Sequence, residues 1–255
     1  MTLHVEERGT PDGAALLLLH GLGSCSEDWA FQLPRFETRY RVILVDLPGH
    51  GRSPLSRGRV SVEGLAEAVQ GVLAARAAPP VHALGLSLGG CVALALALRA
   101  PARVRSLILV NAFARLRPAG LRGAGRLAVR LGLLAAAPMT AVASHVARGL
   151  FPRPEQRDLY LAAVARLSRT PRAAYLSGVR ALARFDARAR LAAVACPTLI
   201  VAGAADATVP LALQEALARG VPGARLAVVA GSGHATPHDR PEEFTRLVMD
   251  FLAEH

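Results

Sequence analysis

Lysine is absent from this chain of 255 residues, and cysteine is scarce. All 30 basic residues are arginine, which we attribute to codon composition, so no single arginine is taken as functional from its type alone. The three cysteines, Cys25, Cys91 and Cys196, are an odd number without metal-ligand spacing, which argues against a disulfide framework and a zinc site. We therefore expect buried thiols, a cytoplasmic location, and no metal or other cofactor.

Long hydrophobic runs are also missing. No apolar stretch reaches the roughly 20 residues that a membrane span needs, so no membrane span is expected. The run at 14–19 follows acidic residues rather than a basic segment, which is unlike a signal peptide. With 52% hydrophobic and 19% charged residues, the chain is predicted to fold as one soluble domain with a substantial core.

Acidic residues are few in the middle of the chain. Residues 111–190 contain 15 arginines and three acidic residues, a net charge of +12, whereas residues 1–110 carry +2 and residues 191–255 carry −3. No cluster there resembles a nucleic-acid-binding motif, so nucleic acid is not an expected partner. Two interpretations stay open: a solvated basic surface, or a surface that attracts an anionic substrate or an acidic protein through residues such as Arg115, Arg117, Arg122, Arg126 and Arg130.

Short apolar runs alternate with helix-like stretches over most of the chain. The runs predict strands, buried on both faces, at 14–19, 41–45, 81–85, 105–110, 198–202 and 225–229. The stretches between them predict helices at 62–76, 88–99, 211–219 and 241–252. This alternation predicts an α/β fold with a mostly parallel, doubly wound sheet.

The alternation stops between about Asn111 and Leu191. The segment is rich in Ala, Leu and Arg and is interrupted by prolines at 118, 138, 152, 154 and 171, which predicts three to five short helices. An insertion after the carboxyl end of a strand lies over the mouth of the sheet, where ligands bind. We therefore expect residues 112–190 to form a helical cap on a core made of residues 1–111 and 191–255.

A candidate nucleophile lies in the motif GLSLG, at residues 85–89. Ser87 stands directly after a predicted strand and directly before a predicted helix. A serine at such a sharp turn has strained backbone angles and projects its hydroxyl from the edge of the sheet. The amino end of the new helix also presents free N–H groups to a developing oxyanion.

A second motif, HGLG at residues 20–23, follows the first predicted buried strand. In the nucleophile-turn arrangement one oxyanion donor is the N–H after the serine, here Leu88, and the other comes from a loop after an early strand. Leu22 occupies that loop position, and the glycines beside it permit unusual backbone angles. We expect His20 to be structural and to hold this loop by hydrogen bonds.

The candidate base is His234, in a glycine-rich loop after the strand at 225–229. Its rival, His238, lies four residues further on, at the entrance of the last helix. We favour His234 because flexible glycines precede it directly and the carboxyl end of a strand can bring it to Ser87.

The candidate acid is Asp206, which follows the strand at 198–202. It would accept the N–H of the histidine and fix its tautomer, and the order Ser, Asp, His suits this architecture. Asn111, after the preceding strand, cannot carry the charge. Asp46 lies in the segment DLPGHGRS, where we expect it to make hydrogen bonds within a turn.

Five blocks, HGLG, DLPGHGRS, GLSLGG, GAADATVP and SGHATPHDRPEEF, resemble the α/β-hydrolase superfamily in matching order. They span nearly the whole chain except the expected cap. Within the superfamily the chain resembles small cytosolic carboxylesterases, including pimeloyl-ACP methyl ester esterases and 3-oxoadipate enol-lactonases. Haloalkane dehalogenases and epoxide hydrolases resemble it elsewhere but use an aspartate nucleophile, unlike Ser87.

Residues and resemblance together predict a hydrolase that cleaves small-molecule carboxylic esters through an acyl-enzyme. The resemblance to pimeloyl-ACP esterases also implies a substrate carried by an acyl carrier protein as an acidic partner. A thioesterase, an enol-lactonase and a C–C hydrolase would use the same residues, and an acyltransferase would exclude water. A non-catalytic ligand receptor on the same fold also stays open.

Overall fold

The computed structural model describes residues 2–55, 58–116 and 120–255, without the side chains of residues 120–122. In these parts seven strands form one sheet in the order β1-β3-β2-β4-β5-β6-β7. All neighbouring strands are parallel except β1, which is antiparallel to β3. The strands are β1 Val5–Gly9, β2 Ala14–Leu19, β3 Tyr40–Val45, β4 Val81–Leu86, β5 Val104–Val110, β6 Thr198–Gly203 and β7 Arg225–Val229.

The six predicted strands are confirmed, with bounds that move by at most one residue. The sequence prediction missed β1, because its residues VEERG contain no apolar run and its order comes from backbone pairing with β3. Burial on both faces is confirmed for β2 and β4. For β7 it is wrong: this strand ends the sheet, and its Val228 is 47% exposed.

Helices cover both faces of the sheet, as the two large apolar clusters on its opposite sides require. The predicted helices at 62–76, 88–99, 211–219 and 241–252 are confirmed to within one residue. The helices are α1 Leu33–Phe36, α2 Val62–Ala75, α3 Leu88–Arg99, α4 Gly120–Ala136, α5 Met139–Leu150, α6 Arg157–Arg169, α7 Arg172–Arg184, α8 Leu211–Gly220, α9 Thr236–Asp239 and α10 Pro241–Ala253.

Helices α4 to α7 lie between β5 and β6, and prolines mark their limits. Pro138 separates α4 from α5, and Pro171 separates α6 from α7, because proline cannot continue a preceding helix. Pro118, which was also expected to interrupt the segment, lies outside the described residues. The inserted helices share an apolar cluster of their own, which includes Val142 and Tyr175 and extends to Leu22 of the core.

None of the helices in the described ranges combines the length and the apolar character that crossing a membrane requires.

Candidate active site

Ser87 lies at a sharp turn between β4 and α3. Its φ of +52° is in the left-handed region, and its backbone N–H donates to the carbonyl oxygen of Val110 at 2.9 Å. The turn is possible because Gly85 and Gly89 lack side chains. A Cβ on Gly85 would lie 2.2 Å from the carbonyl oxygen of Gly89, and a Cβ on Gly89 would lie 2.1 Å from that of Leu19. The GLSLG motif therefore fixes a strained turn that holds the Ser87 hydroxyl at the carboxyl end of the central strand β4.

Ser87, His234 and Asp206 form one hydrogen-bonded row. The Oγ of Ser87 is 3.0 Å from Nε2 of His234, and Nδ1 of His234 is 2.8 Å from Oδ2 of Asp206. An ionised carboxylate only accepts hydrogen bonds, so Nδ1 carries the proton and Nε2 is free to accept from the serine hydroxyl. All three side chains are buried. The arrangement can move a proton from the serine oxygen to the histidine.

Asp206 is surrounded by hydrogen-bond donors. Its Oδ1 accepts from the backbone N–H groups of Thr208 and Val209 at 2.7 and 2.9 Å, and its Oδ2 accepts from Asn111 at 2.9 Å as well as from His234. Burial by itself raises the pKa of Asp206, but His234 and these donors outweigh it and hold the pKa below the ordinary value. Asp206 is therefore kept ionised beside His234.

The sequence interpretation missed how Asn111 contributes to the site. It rejected this residue as an acid, yet the Asn111 amide nitrogen donates both to Asp206 and to the carbonyl oxygen of Gly233, each at 2.9 Å. The Asn111 amide oxygen accepts from Thr236 at 2.8 Å. Asn111 thus ties the loop that carries Asp206 to the loop that carries His234. The sequence shows that Asn111 directly follows β5, but not that β5 lies between β4 and β6 in the sheet.

The HGLG loop is held by His20, as expected. Nδ1 of the His20 ring donates to the carbonyl oxygen of Gly21 at 2.8 Å, and Nε2 accepts from the N–H of Leu47 at 2.9 Å. Both bonds need the neutral ring, and burial lowers the pKa of His20. Leu22 lines the same cavity as Ser87. Leu88 is the first residue of α3, so its N–H has no acceptor within the helix. The assignment of Leu22 and Leu88 as oxyanion donors stays a prediction.

Buried histidines give the fold a pH dependence. Burial lowers the pKa of His50, which packs against His20, and of His82 to about 4. Each takes up a proton on unfolding, where its pKa is near 6.5. The stability they contribute is therefore complete above about pH 6.5 and is lost as the pH falls to about 4, at about 1.4 kcal/mol per pH unit for each histidine.

We accordingly expect urea titrations at pH 7, 6 and 5 to give a falling free energy of unfolding. The His50→Gln variant should show a slope smaller by about one proton. Identical slopes for the two proteins, or a free energy of unfolding independent of pH, would contradict this assignment.

The rival acid, Asp46, holds a turn, as expected. Its carboxylate accepts from the backbone N–H of Ser26 at 2.7 Å and of Arg52 at 2.9 Å, and its carbonyl oxygen accepts from Ser53 at 2.6 Å. Its described hydrogen bonds join this loop to Ser26 and to the carbonyl oxygen of His4, and none is to His234. Asp46 therefore shapes the loop after β3.

The rival base, His238, is not hydrogen-bonded to Ser87. Its ring lies edge-on to Phe31 and Phe151, and its Nε2 is 3.9 Å from Asp28. Asp239, the next residue, is buried and accepts from the N–H of Gly233 at 2.6 Å, which shapes the loop of His234. No motif in the sequence indicated this role of Asp239.

A cavity of about 840 Å³ opens onto Ser87 and His234. Its wall combines the HGLG loop, the ends of the parallel strands and the inserted helices α4 to α7. Most lining side chains are apolar, among them Leu22, Phe113 and Val146. His145 also lines this cavity. The site can therefore hold a largely apolar molecule next to the serine hydroxyl.

The five arginines that could attract an anionic substrate or an acidic protein do not share one environment. Arg115 lies 3.4 Å from the carboxylate of Asp186, and this ion pair partly neutralises its positive charge. Arg117 and the side chain of Arg122 lie outside the described residues. Arg126 and Arg130 line the cavity.

The chain is similar to a known family and to known proteins over nearly its whole length. The family described as "Alpha/beta hydrolase family" matches residues 16–247. A relative from Variovorax paradoxus, whose name assigns it provisionally to carbamate hydrolysis (RutD), is 37% identical over 99% of this chain and 97% of its own length. The pimeloyl-[acyl-carrier protein] methyl ester esterase of Neisseria meningitidis is 35% identical over 97% of each chain.

Among solved structures, the enol-lactonase from Burkholderia xenovorans superimposes with a TM-score of 0.91. It is 25% identical, and the match covers 98% of this chain and 96% of that one. The match therefore includes both the sheet and the inserted helices.

Proposed function

Since the chain belongs to the alpha/beta hydrolase family, we propose that it is a serine hydrolase that cleaves carboxylic esters. Ser87 is the nucleophile, His234 is the general base, and Asp206 is the acidic residue of the triad, whose carboxylate orients His234. The observation that carries this proposal is the row of hydrogen bonds from Ser87 through His234 to Asp206, which opens onto a largely apolar cavity. The names of the relatives concern ester, lactone and carbamate substrates, which share an acyl carbon open to nucleophilic attack.

In the first half of the reaction His234 takes the proton of the Ser87 hydroxyl as the oxygen bonds to the ester carbon. The carbonyl oxygen becomes an oxyanion, which the N–H groups of Leu22 and Leu88 stabilise. The intermediate then breaks its bond to the alcohol oxygen, and His234 returns its proton to that oxygen. The product is an acyl group on Ser87 and a free alcohol.

In the second half a water molecule attacks the acyl carbon while His234 accepts one of its protons. The bond to Ser87 breaks, the proton returns to the serine oxygen, and the acid leaves. Asp206 stays ionised and stabilises the His234 cation in both halves.

We further propose that residues 112–190 act as a cap on a core of residues 1–111 and 191–255. The inserted helices supply much of the cavity wall and carry most of the excess positive charge. That charge favours substrates with negative charge, either on the small molecule itself or on an acyl carrier protein to which the acyl group is attached.

Hydrolysis of p-nitrophenyl butyrate tests the proposed function, and two histidine variants test the base. His234→Gln should lower turnover by about 10³-fold or more, because no other group accepts the serine proton. His238→Gln is the matched control, since it removes an imidazole from the same cavity wall, and should retain at least about a tenth of the turnover. The reverse ranking would show that His238 is the base.

A further inference from the structure

Six charged side chains line the described wall of the cavity: Glu27, Asp28, Arg126, Arg130, Arg148 and Arg166. Arg166 forms an ion pair with Asp28 and lies 3.8 Å from Glu27, so one arginine faces both carboxylates. The other three arginines form no ion pair within the described parts of the chain, and the residues outside them contain no Asp or Glu. The cavity therefore carries an excess of positive charge.

Arg126 and Arg130 are one helical turn apart on α4, so they share a face of that helix. Arg126 is exposed, and its Nη2 donates to the carbonyl oxygen of Ala207 at 2.6 Å. Ala207 directly follows Asp206, and both Ala207 and Thr208 line the cavity. One hydrogen bond leaves the Arg126 guanidinium with further N–H donors, held beside the loop of the proposed acid.

Arg130 lies deeper and is half-buried. Its Nε is buried and has no hydrogen-bond partner among the described residues. It is near Tyr175. Burial raises the pKa of Tyr175, and the positive charge of Arg130 acts in the opposite direction. A guanidinium withdrawn from water without a carboxylate partner is unfavourable, and a bound anion would remove that cost.

We propose that Arg126 and Arg130 form a carboxylate-binding subsite, which selects esters that carry a free carboxylate besides the ester that is cleaved. The paired N–H groups of a guanidinium match a carboxylate, and the apolar wall accommodates the hydrocarbon between the two groups. A small molecule in the cavity can reach the half-buried Arg130, whereas an acidic protein docked outside meets only the exposed side chains. The proposal rests on ester hydrolysis at Ser87.

Three chromogenic substrates test the subsite. p-Nitrophenyl hexanoate is neutral, the mono-p-nitrophenyl ester of adipic acid places the carboxylate on the acyl side, and 3-carboxy-4-nitrophenyl hexanoate places it on the alcohol side. The measured quantity is kcat/KM for each anionic ester divided by kcat/KM for the neutral one. For at least one anionic ester we expect this ratio to fall at least about tenfold in the double variant Arg126→Gln, Arg130→Gln. The anionic ester whose ratio falls in the double variant shows whether the carboxylate of the substrate belongs on the acyl part or on the alcohol part.

The matched control is the double variant Arg169→Gln, Arg180→Gln. These exposed arginines lie on α6 and α7 and do not line the cavity, so the variant loses the same net charge elsewhere on the inserted helices. Its ratios should stay within about twofold of wild type. Equal falls in both double variants would overturn the subsite in favour of long-range attraction, as for an acidic carrier protein. Arg130→Gln alone leaves the Arg126 bond to Ala207 intact and should still lower the ratio.

Binding supplies a readout that does not need turnover. The Ser87→Ala variant should bind monomethyl adipate in isothermal titration calorimetry, and adding Arg126→Gln and Arg130→Gln should weaken binding at least about fivefold. If this holds while no ester is hydrolysed, the subsite stands and the proposed function fails. If esters are hydrolysed but neither the ratios nor the binding respond, the subsite is wrong and the hydrolase assignment stands.

Discussion

Replacing Ser87 by alanine is expected to lower the turnover of p-nitrophenyl butyrate by about 10⁴-fold or more, because no acyl-enzyme can form. The Ser87 side chain lies on the cavity wall, and its described hydrogen bond is to His234, at 3.0 Å. Its loss opens no gap in the packed core, so the melting temperature should change by only a few degrees. Initial rates measured against the spontaneous hydrolysis of the ester give the comparison.

Ser24→Ala is the matched control for this experiment. Ser24 also lines the cavity, but its hydroxyl donates to Asp28 rather than to a histidine. We expect this variant to keep at least about a tenth of the wild-type turnover. A Ser87→Ala protein that kept a tenth of the turnover would refute the mechanism.

Asp206→Asn is expected to cost about 10⁴-fold in kcat, because the carboxylate fixes the tautomer of His234 and stabilises its cation. The surroundings of Asp206 add a second effect. Both carboxylate oxygens face only donors, from His234, Asn111 and two backbone N–H groups. An asparagine must point its NH₂ group at donors in either orientation, so the free energy of unfolding should also fall by about 1–3 kcal/mol.

Asp46→Asn makes the same chemical change at another buried carboxylate. Asp46 accepts the backbone N–H groups of Ser26 and Arg52, so this variant should lose about 1–3 kcal/mol of stability but keep at least about a tenth of kcat. Steady-state kinetics and urea unfolding of both variants separate the two roles. A larger loss of kcat in Asp46→Asn than in Asp206→Asn would reverse the assignment of the acid.

The parts of the fold that the sequence predicted well depend on local patterns. Continuous apolar runs and helical periodicity gave six strands and four core helices to within a residue, and the GLSLG motif lies at a turn between β4 and α3. The failures depend on neighbours in the sheet. β1 has no apolar run and is ordered by pairing with β3, and β7 reads as a buried strand although it ends the sheet.

The site shows the same limit. Ser87, Asp206 and His234 could be proposed because each follows a strand in a recognisable motif. Asn111 could not be assigned its role, because that role depends on β5 lying between β4 and β6 in the sheet, which brings Asn111 against Asp206 and Gly233.

The contacts of the inserted segment, residues 112–190, could not be predicted from the sequence either. A sequence gives the helical character of such a segment but not which way each helix faces. The placement of Arg130 in the cavity wall and the ion pair of Arg115 with Asp186 both required the structure.

The central claim, that Ser87 is the nucleophile of an ester hydrolase, is tested most directly by covalent trapping. A p-nitrophenyl alkylphosphonate transfers its phosphonyl group to an activated serine and releases p-nitrophenolate, and the adduct does not turn over. Intact-mass and peptide mass spectrometry should find one adduct per chain, on the peptide that contains Ser87, with ester hydrolysis lost in proportion. The Ser87→Ala protein should gain none. A protein that hydrolyses esters and is inactivated by an adduct elsewhere, with Ser87 unmodified, would contradict the claim.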